Sequence, residues 1–309
     1  MKHDCTILLQ LLLLAACTRI PAPDHLCPTT IVFSDGEPVT RALDPDQERI
    51  SDLNLLIFNH GGQLEEKIFV SGRKLQYLDG KPCHRTQLLK GVPYTFLVAA
   101  NLGYELPCRT LDQARAYRYY MAYPDEFSSG IPMSALAEMQ PGEEEVLEIP
   151  LERLMAKVEL SVDRQSLDED VKMIVRQVKV GNCPSSVQLF GESTAQSFFA
   201  NGFLRDWSQV DVLNRNGSLP VYLLENIQGE RPAPSRTECS YIEIKWEYYS
   251  GSYHTRPGEY LVYRFFLQEN PGNYTVRRNV RYLIIVKPEG SGLGENGWRV
   301  DQTSLVQND

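Results

Sequence analysis

Apolar and polar residues alternate along most of the chain with the two-residue period of a strand, and short polar turns break the pattern. Leu53, Leu55 and Ile57 alternate in ISDLNLLIFN, NHGG supplies a turn, and QLEEKIFVSG follows. YLDGKP carries an Asp-Gly pair, favoured in tight hairpins because glycine reaches φ > 0 without steric cost. VPYTFLVAAN reads as a buried strand that ends at Asn101-Leu102-Gly103. One helix is predicted, in TLDQARAYRYYMA, where Thr110 and Gln113 have the spacing of a capping box. Its expected place is over one end of the sheet.

The segment MQPGEEEVLEIPLERLMAKVELSVD holds the expected domain boundary. Pro141-Gly142 open it and Pro150 ends a strand; from Leu154, the residues Ala156, Val158, Leu160 and Val162 then alternate with polar neighbours. That alternation begins a second all-β unit. Its further strands lie in VRQVKVGN, SFFANGFL (read as an Asn-Gly hairpin), LPVYLLEN, CSYIEIKWEYYS, GEYLVYRFFLQ and RRNVRYLIIVKPE. Ile242, Ile244, Trp246 and Tyr248 share one strand face, and Glu243, Lys245 and Glu247 the other. Many short strands with regular turn signals predict antiparallel sandwiches, and 309 residues suit two domains with few strand pairings between them. No internal repeat period is visible.

The N-terminus has a different pattern. Ile7 to Ala16 is apolar but supplies about half of the 20 residues a membrane-spanning helix needs. With Lys2 before it and small residues after it, the run reads as a secretory signal, residues 1–16. Leu14-Ala15-Ala16-Cys17 resembles the lipobox of bacterial lipoproteins, in which the cysteine thiol is acylated and the chain is cut just before it. Cys17 is therefore the expected lipid attachment site; the alternative is an ordinary signal peptide with a chance cysteine at the cut. Residues 17–28 then form a proline-rich tether.

Composition narrows the function classes. The net charge of −9 argues against binding nucleic-acid phosphates, which needs clustered Lys and Arg. Of seven cysteines, Cys27, Cys83, Cys108, Cys183 and Cys239 remain after the signal and Cys17 are set aside, an odd count that leaves a free thiol. Cys83 with Cys108 and Cys183 with Cys239 can pair within the two halves, but sequence does not assign connectivity. There is no CxxC pair, no HExxH and no GxSxG elbow, so no metal, cofactor or catalytic residue is expected. EGSGLGENG lacks the Gly-Lys-Ser/Thr of a phosphate loop and reads as a flexible connection after a strand.

Several stretches together point to a family: DLNLLIFNHGGQL, VPYTFLVAANLG, GIPMSA, LERLMAKVELSV, VYLLENIQG and NYTVRRNVRYLIIV, behind a lipobox. In this order they resemble the FimB-type fimbrial anchor and minor-subunit family of Bacteroidales, over roughly residues 30–300. LLENIQG (223–229) and YTVRRNVRY (274–282) are the most specific pieces. The resemblance implies two tandem transthyretin-like β-sandwich domains, 29–152 and 153–309, with a short helix in the first. It implies a lipid-anchored protein of the outer membrane, exposed on the cell as part of a type V pilus. Its expected partner is a fimbrial shaft or accessory subunit, engaged by donor-strand-type β-augmentation. Shaft subunits of this class lose their N-terminal strand to an Arg-specific protease. Arg41 lies where such a cut would fall, and an anchor is expected to leave it uncut. For a segment donated to a neighbour, Gln302 to Asp309 is short, with only Leu305 and Val306 as apolar anchors. Arg277, Arg278 and Arg281 are expected either to be solvated or to pair with the abundant acids, a structural role rather than a binding one. The alternative function is a carbohydrate-binding surface lipoprotein, for which Trp207, Trp246 and Trp298 are the candidate platform.

Overall fold

The computed structural model describes residues 26–35, 49–121, 130–142, 146–191, 193, 199–200, 203–205, 207–253, 260–294 and 297–305. The first half has β1 (Leu26–Asp35), β2 (Asp52–Asn59), β3 (Leu64–Ser71), β4 (Gln76–Leu78) and β5 (Lys81–Leu89). It continues with β6 (Tyr94–Ala100), α1 (Leu111–Arg115), β7 (Arg118–Tyr120), β8 (Met133–Met139) and β9 (Val146–Arg153). Eight of these strands form one curled sheet in the order β3-β2-β6-β8-β9-β1-β5-β4. The two wings of the sheet meet at one corner, where β8 touches β9 only at Met133↔Arg153 and Ser134↔Glu152. Ile31, Phe33, Leu53, Leu55, Ile57, Phe96, Val98, Ile149 and Leu151 fill the space between the wings.

The second half has β10 (Met155–Val162), β11 (Val171–Gly181), β12 (Cys183–Pro184), β13 (Ser186–Gln188), β14 (Phe199–Ala200) and β15 (Phe203–Arg205). It ends with β16 (Ser218–Leu224), β17 (Tyr241–Ser250), β18 (Tyr260–Phe266), β19 (Arg281–Pro288) and β20 (Trp298–Leu305). Two four-stranded sheets, β16-β10-β19-β20 and β15-β11-β17-β18, enclose its core. The alternation from Leu154 is borne out: Leu154, Ala156, Val158, Leu160 and Val162 are buried, as are Ile242, Ile244, Trp246 and Tyr248.

The halves repeat one pairing pattern. In the first, β1 lies between antiparallel β5 and parallel β9; in the second, β10 lies between antiparallel β16 and parallel β19. The facing sheets, β3-β2-β6-β8 and β15-β11-β17-β18, also correspond strand for strand and are antiparallel throughout. Among the described residues two strands lack a counterpart, β4 beside β5 and β20 beside β19; β20 pairs with β19 along its whole length, whereas β9 meets only β8 on its matching side, at two residue pairs. The halves also share an apolar cluster in which Leu56, Phe58 and Leu97 meet Met155, Val187, Leu189, Tyr222 and Leu224. One strand pairing crosses as well, β7 with β13.

Several sequence expectations change. Strand β1 starts at Leu26, inside the segment read as tether. Helix α1 spans five residues; Thr110 caps it by accepting the Gln113 amide, and Arg118–Tyr120 turn into strand because β13 offers a pairing edge. SFFANGFL does not reverse direction. Phe199↔Pro184, Ala200↔Cys183, Phe203↔Val180 and Leu204↔Lys179 keep one register, so both flanks run along the same neighbour. Finally, β9 runs through Pro150. The Leu154 amide donates to the Pro132 carbonyl at 2.9 Å, which turns the backbone groups of even-numbered β9 positions toward β8. Pro150 therefore lacks its N–H on the side away from β1, and the ladder to β1 is intact. Toward β8, the rung after Ser134↔Glu152 would need that missing N–H, and there the strands part.

Candidate functional site

The candidate site is the place of β1. TTIVF is rich in β-branched and aromatic residues, which suit a strand in the middle of a sheet. Ile31 and Phe33 are fully buried, and each contributes about 1.5–3 kcal/mol of hydrophobic stabilisation relative to exposure. Leu26↔Leu89 to Val32↔Cys83 is the antiparallel register with β5, and Thr30↔Val146 to Asp35↔Leu151 the parallel register with β9. The Cys27 thiol reaches the Leu88 carbonyl at 3.4 Å. Sequence reading passed over this strand, although the β-branched run was its signal. Cys17 and Arg41 lie outside the described residues.

The two stretches that carry the resemblance meet in space. Asn226 and Val276 exchange backbone hydrogen bonds of 2.8 and 2.9 Å, joining LLENIQG to YTVRRNVRY. The buried Asn226 amide donates to the Glu238 carbonyl (2.7 Å) and to Ser240 Oγ (2.9 Å), and Thr275 Oγ1 accepts the Gly229 amide (2.9 Å). Arg277 pairs with Glu269 at 2.7 Å, and Arg281 with Glu159. Arg278 pairs with Glu225, both almost completely buried, and also donates to the Gln188 carbonyl (2.8 Å) and Ser193 Oγ (3.0 Å). Asn279 takes the left-handed conformation, φ 55, and its amide donates to the Met155 carbonyl beside the junction of the halves. The arginines thus have acidic partners, all of them within the second half.

Burial pushes the Glu159 carboxyl up, but Arg281 and Lys157 outweigh it and hold the group below its usual value. Burial pushes the Tyr282 hydroxyl up to about 12, even though the Arg277 amide donates to it. Cys27, Cys83, Cys108, Cys183 and Cys239 are all free thiols, so neither pairing allowed by the sequence is formed. EGSGLGENG links β19 to β20 and is tied down by Tyr263 and Tyr248, which donate to the Gly292 and Ser291 carbonyls. Among the described residues no cluster of His, Cys, Asp and Glu could hold a metal, and no helix is long and apolar enough to cross a membrane. Trp246 is fully buried, and Trp298 stacks on Tyr263 at 4.6 Å. Trp246 therefore offers no sugar platform, Trp298 is partly buried, and the Trp207 side chain lies outside what is described. The C-terminal segment through Leu305 is paired with β19 as β20, and residues 306–309 lie outside the described residues.

No family model matches the sequence, and no curated protein does. Solved structures do match. A candidate cell adhesion protein from Bacteroides eggerthii has a TM-score of 0.64 at 14% identity, covering 91% of this chain and 95% of its own. The likeness is one of fold. The fimbrilin FimA of Porphyromonas gingivalis matches at TM-score 0.61 and 13% identity, over 90% of this chain and 96% of its own. The tip fimbrial protein Mfa3 of the same species matches at 0.59 and 13%, over 90% and 99%. Each of these likenesses extends over nine-tenths or more of this chain, so it takes in both halves.

Proposed function

We propose that this chain is a structural protein of a fimbria on the cell surface, held in the outer membrane by lipid on Cys17. It keeps its own N-terminal strand in place and engages a fimbrial subunit by β-augmentation. The carrying observation is the fold likeness to a fimbrilin and a fimbrial tip protein over about nine-tenths of the chain. The setting of β1 supports it, since a strand between β5 and β9 fills a sheet position that another extended chain could occupy. The repeated strand order supports two tandem transthyretin-like units, 29–152 and 153–309. In this reading Arg41 stays uncut, because cleavage would leave β1 and the lipid joined to the rest only by non-covalent pairing.

A deletion strain tests the reading through fibre length and shedding: fibres are expected to change in length or detach, and wild-type fibres with normal retention overturn it. Cys17→Ala should abolish labelling by palmitate and release the protein from the membrane fraction. Mass measurement of protein from fimbriated cells should find the chain joined through Arg41. A dominant species starting at Ala42 would instead make it a processed, polymerising subunit.

A further inference from the structure

The outer face of the sheet β15-β11-β17-β18 runs against the charge of the chain. Ile242, Ile244, Trp246 and Tyr248 turn one side of β17 to the core, which leaves Tyr241, Glu243, Lys245, Glu247 and Tyr249 on the other. Lys172 and Lys179 of β11 stand beside Tyr249 and Glu243. On the far side, Tyr260, Val262 and Arg264 of β18 stand beside Glu247, Lys245 and Glu243. Tyr260 and Val262 are 48% and 56% exposed. Along β17 the face extends about 27 Å, at a strand's rise of ~3.4 Å per residue.

Each acid on this face is engaged. Glu247 accepts from Arg176 at 2.6 Å and from the Tyr249 hydroxyl, and Glu243 accepts from Arg264 at 2.9 Å. Asp170, at the end of the face beyond Lys172, accepts from Ser250 Oγ (2.9 Å) and the Ser252 amide (2.8 Å). The lysines are in the opposite position: Lys172, Lys179 and Lys245 have no carboxylate partner among the described residues. Lys245 rests instead over the Tyr260 ring, 4.0 Å from its centre, and Arg264 covers the Tyr241 ring at 4.4 Å. In a chain of net charge −9, the cations of this face outnumber its acids.

We propose that this face binds an acidic polysaccharide, one whose sugars carry carboxylate or sulfate groups. Sugar rings lie along the flat ladder against Tyr249 and Tyr260, and their anions meet Lys172, Lys179 and Lys245. The tyrosines are held in advance, Tyr249 by Glu247, Tyr260 by Lys245 and Tyr241 by Arg264, so binding costs little side-chain freedom. Unpartnered lysines alone would suit any polyanion; exposed tyrosine rings beside them favour one built of rings. Nucleic acid fits less well, because a phosphate at every nucleotide asks for more cations than this face offers and is repelled by the acidic remainder of the chain. The site needs neither the fimbrial reading nor the place of β1, and Trp246 on the same strand faces away from it.

The test uses the chain from residue 18 onward and four fluorescently labelled probes. Decasaccharides of hyaluronan, which carries carboxylates, and of chondroitin sulfate, which adds sulfates, are compared with a neutral maltodextrin of similar length and an oligoglutamate of equal charge. At least one acidic decasaccharide should bind at least about tenfold more tightly than either control by fluorescence anisotropy, and added salt should weaken it. The tighter of the two identifies the anion. Tyr260→Ala, and separately Lys179→Gln with Lys245→Gln, should each weaken that binding about tenfold with the far-UV dichroism unchanged. Lys74→Gln, on an exposed lysine of the first half, should leave it as it was. Maltodextrin binding as tightly as both acidic decasaccharides overturns the proposal. Oligoglutamate binding as tightly overturns the polysaccharide and assigns the face to an acidic protein segment. Unchanged binding by the folded Tyr260 and lysine variants, or an equal loss with Lys74→Gln, overturns the site.

Discussion

Asn101 shows how one side chain can organise a corner of the first half. Its backbone is left-handed, φ 61, and its side-chain amide donates to the carbonyls of Arg49 (3.0 Å) and Ile131 (2.9 Å). Its Oδ1 accepts the Ser51 amide at 2.8 Å, so three chain segments meet on one buried residue. Asn101→Ala should cost about 2–4 kcal/mol in urea unfolding, since it strands buried polar groups and strains the backbone. Glu159 makes a pH-dependent contribution. Its carboxyl is held below the usual 4.5, so it stabilises the fold at neutral pH and loses that effect as the pH falls through its lowered folded value. Wild-type and Glu159→Gln urea midpoints should therefore differ at neutral pH and converge in acid; a constant gap would refute this. Such residues were half legible. The turn at Asn101-Leu102-Gly103 was visible, but its partners Arg49 and Ile131 are brought to it only by the fold.

Among elements, β1 and β9 carry the main lessons. Alternation marked β10, β17 and β19 clearly, because each has one face on the core and one toward water. β1 was hidden behind a proline-rich stretch, and β9 was cut short in sequence because proline usually ends a strand. Which neighbour each strand takes is written in backbone hydrogen bonds, to which no residue pattern points. A chain lacking residues 1–35 should fail to elute as a compact monomer, and the peptide Leu26–Asp35 added during refolding should restore compactness and co-elute. Pro150→Val should supply the missing donor. The amide at position 150 should then exchange slowly with solvent, and the gap where β8 and β9 part should narrow. Fast exchange at that amide would show that something other than the absent N–H parts the strands.

At the scale of the molecule, the repeat of strand order across the halves has no counterpart in a sequence period, because pairing order survives side-chain divergence. One set of sheets gives way to the next between β9 and β10, yet the shared cluster around Phe58, Leu97, Met155 and Tyr222 binds the halves together. Phe58→Ala should lose about 3–5 kcal/mol and broaden or split the thermal transition of the whole chain, read by calorimetry. A variant whose second-half signals do not move would show the halves to be energetically independent.

The direction of β1 determines how the molecule bears load. β1 and β9 point the same way, and the chain leaves β9 at Arg153 for the second half. Tension applied between the chain ahead of Leu26 and the second half would therefore pull the two strands past each other along their length. Every rung of the ladder then resists in shear at once, instead of opening singly from one end as in a zip. Rupture needs the concerted loss of many bonds, so the join holds far longer under force than its equilibrium stability alone implies.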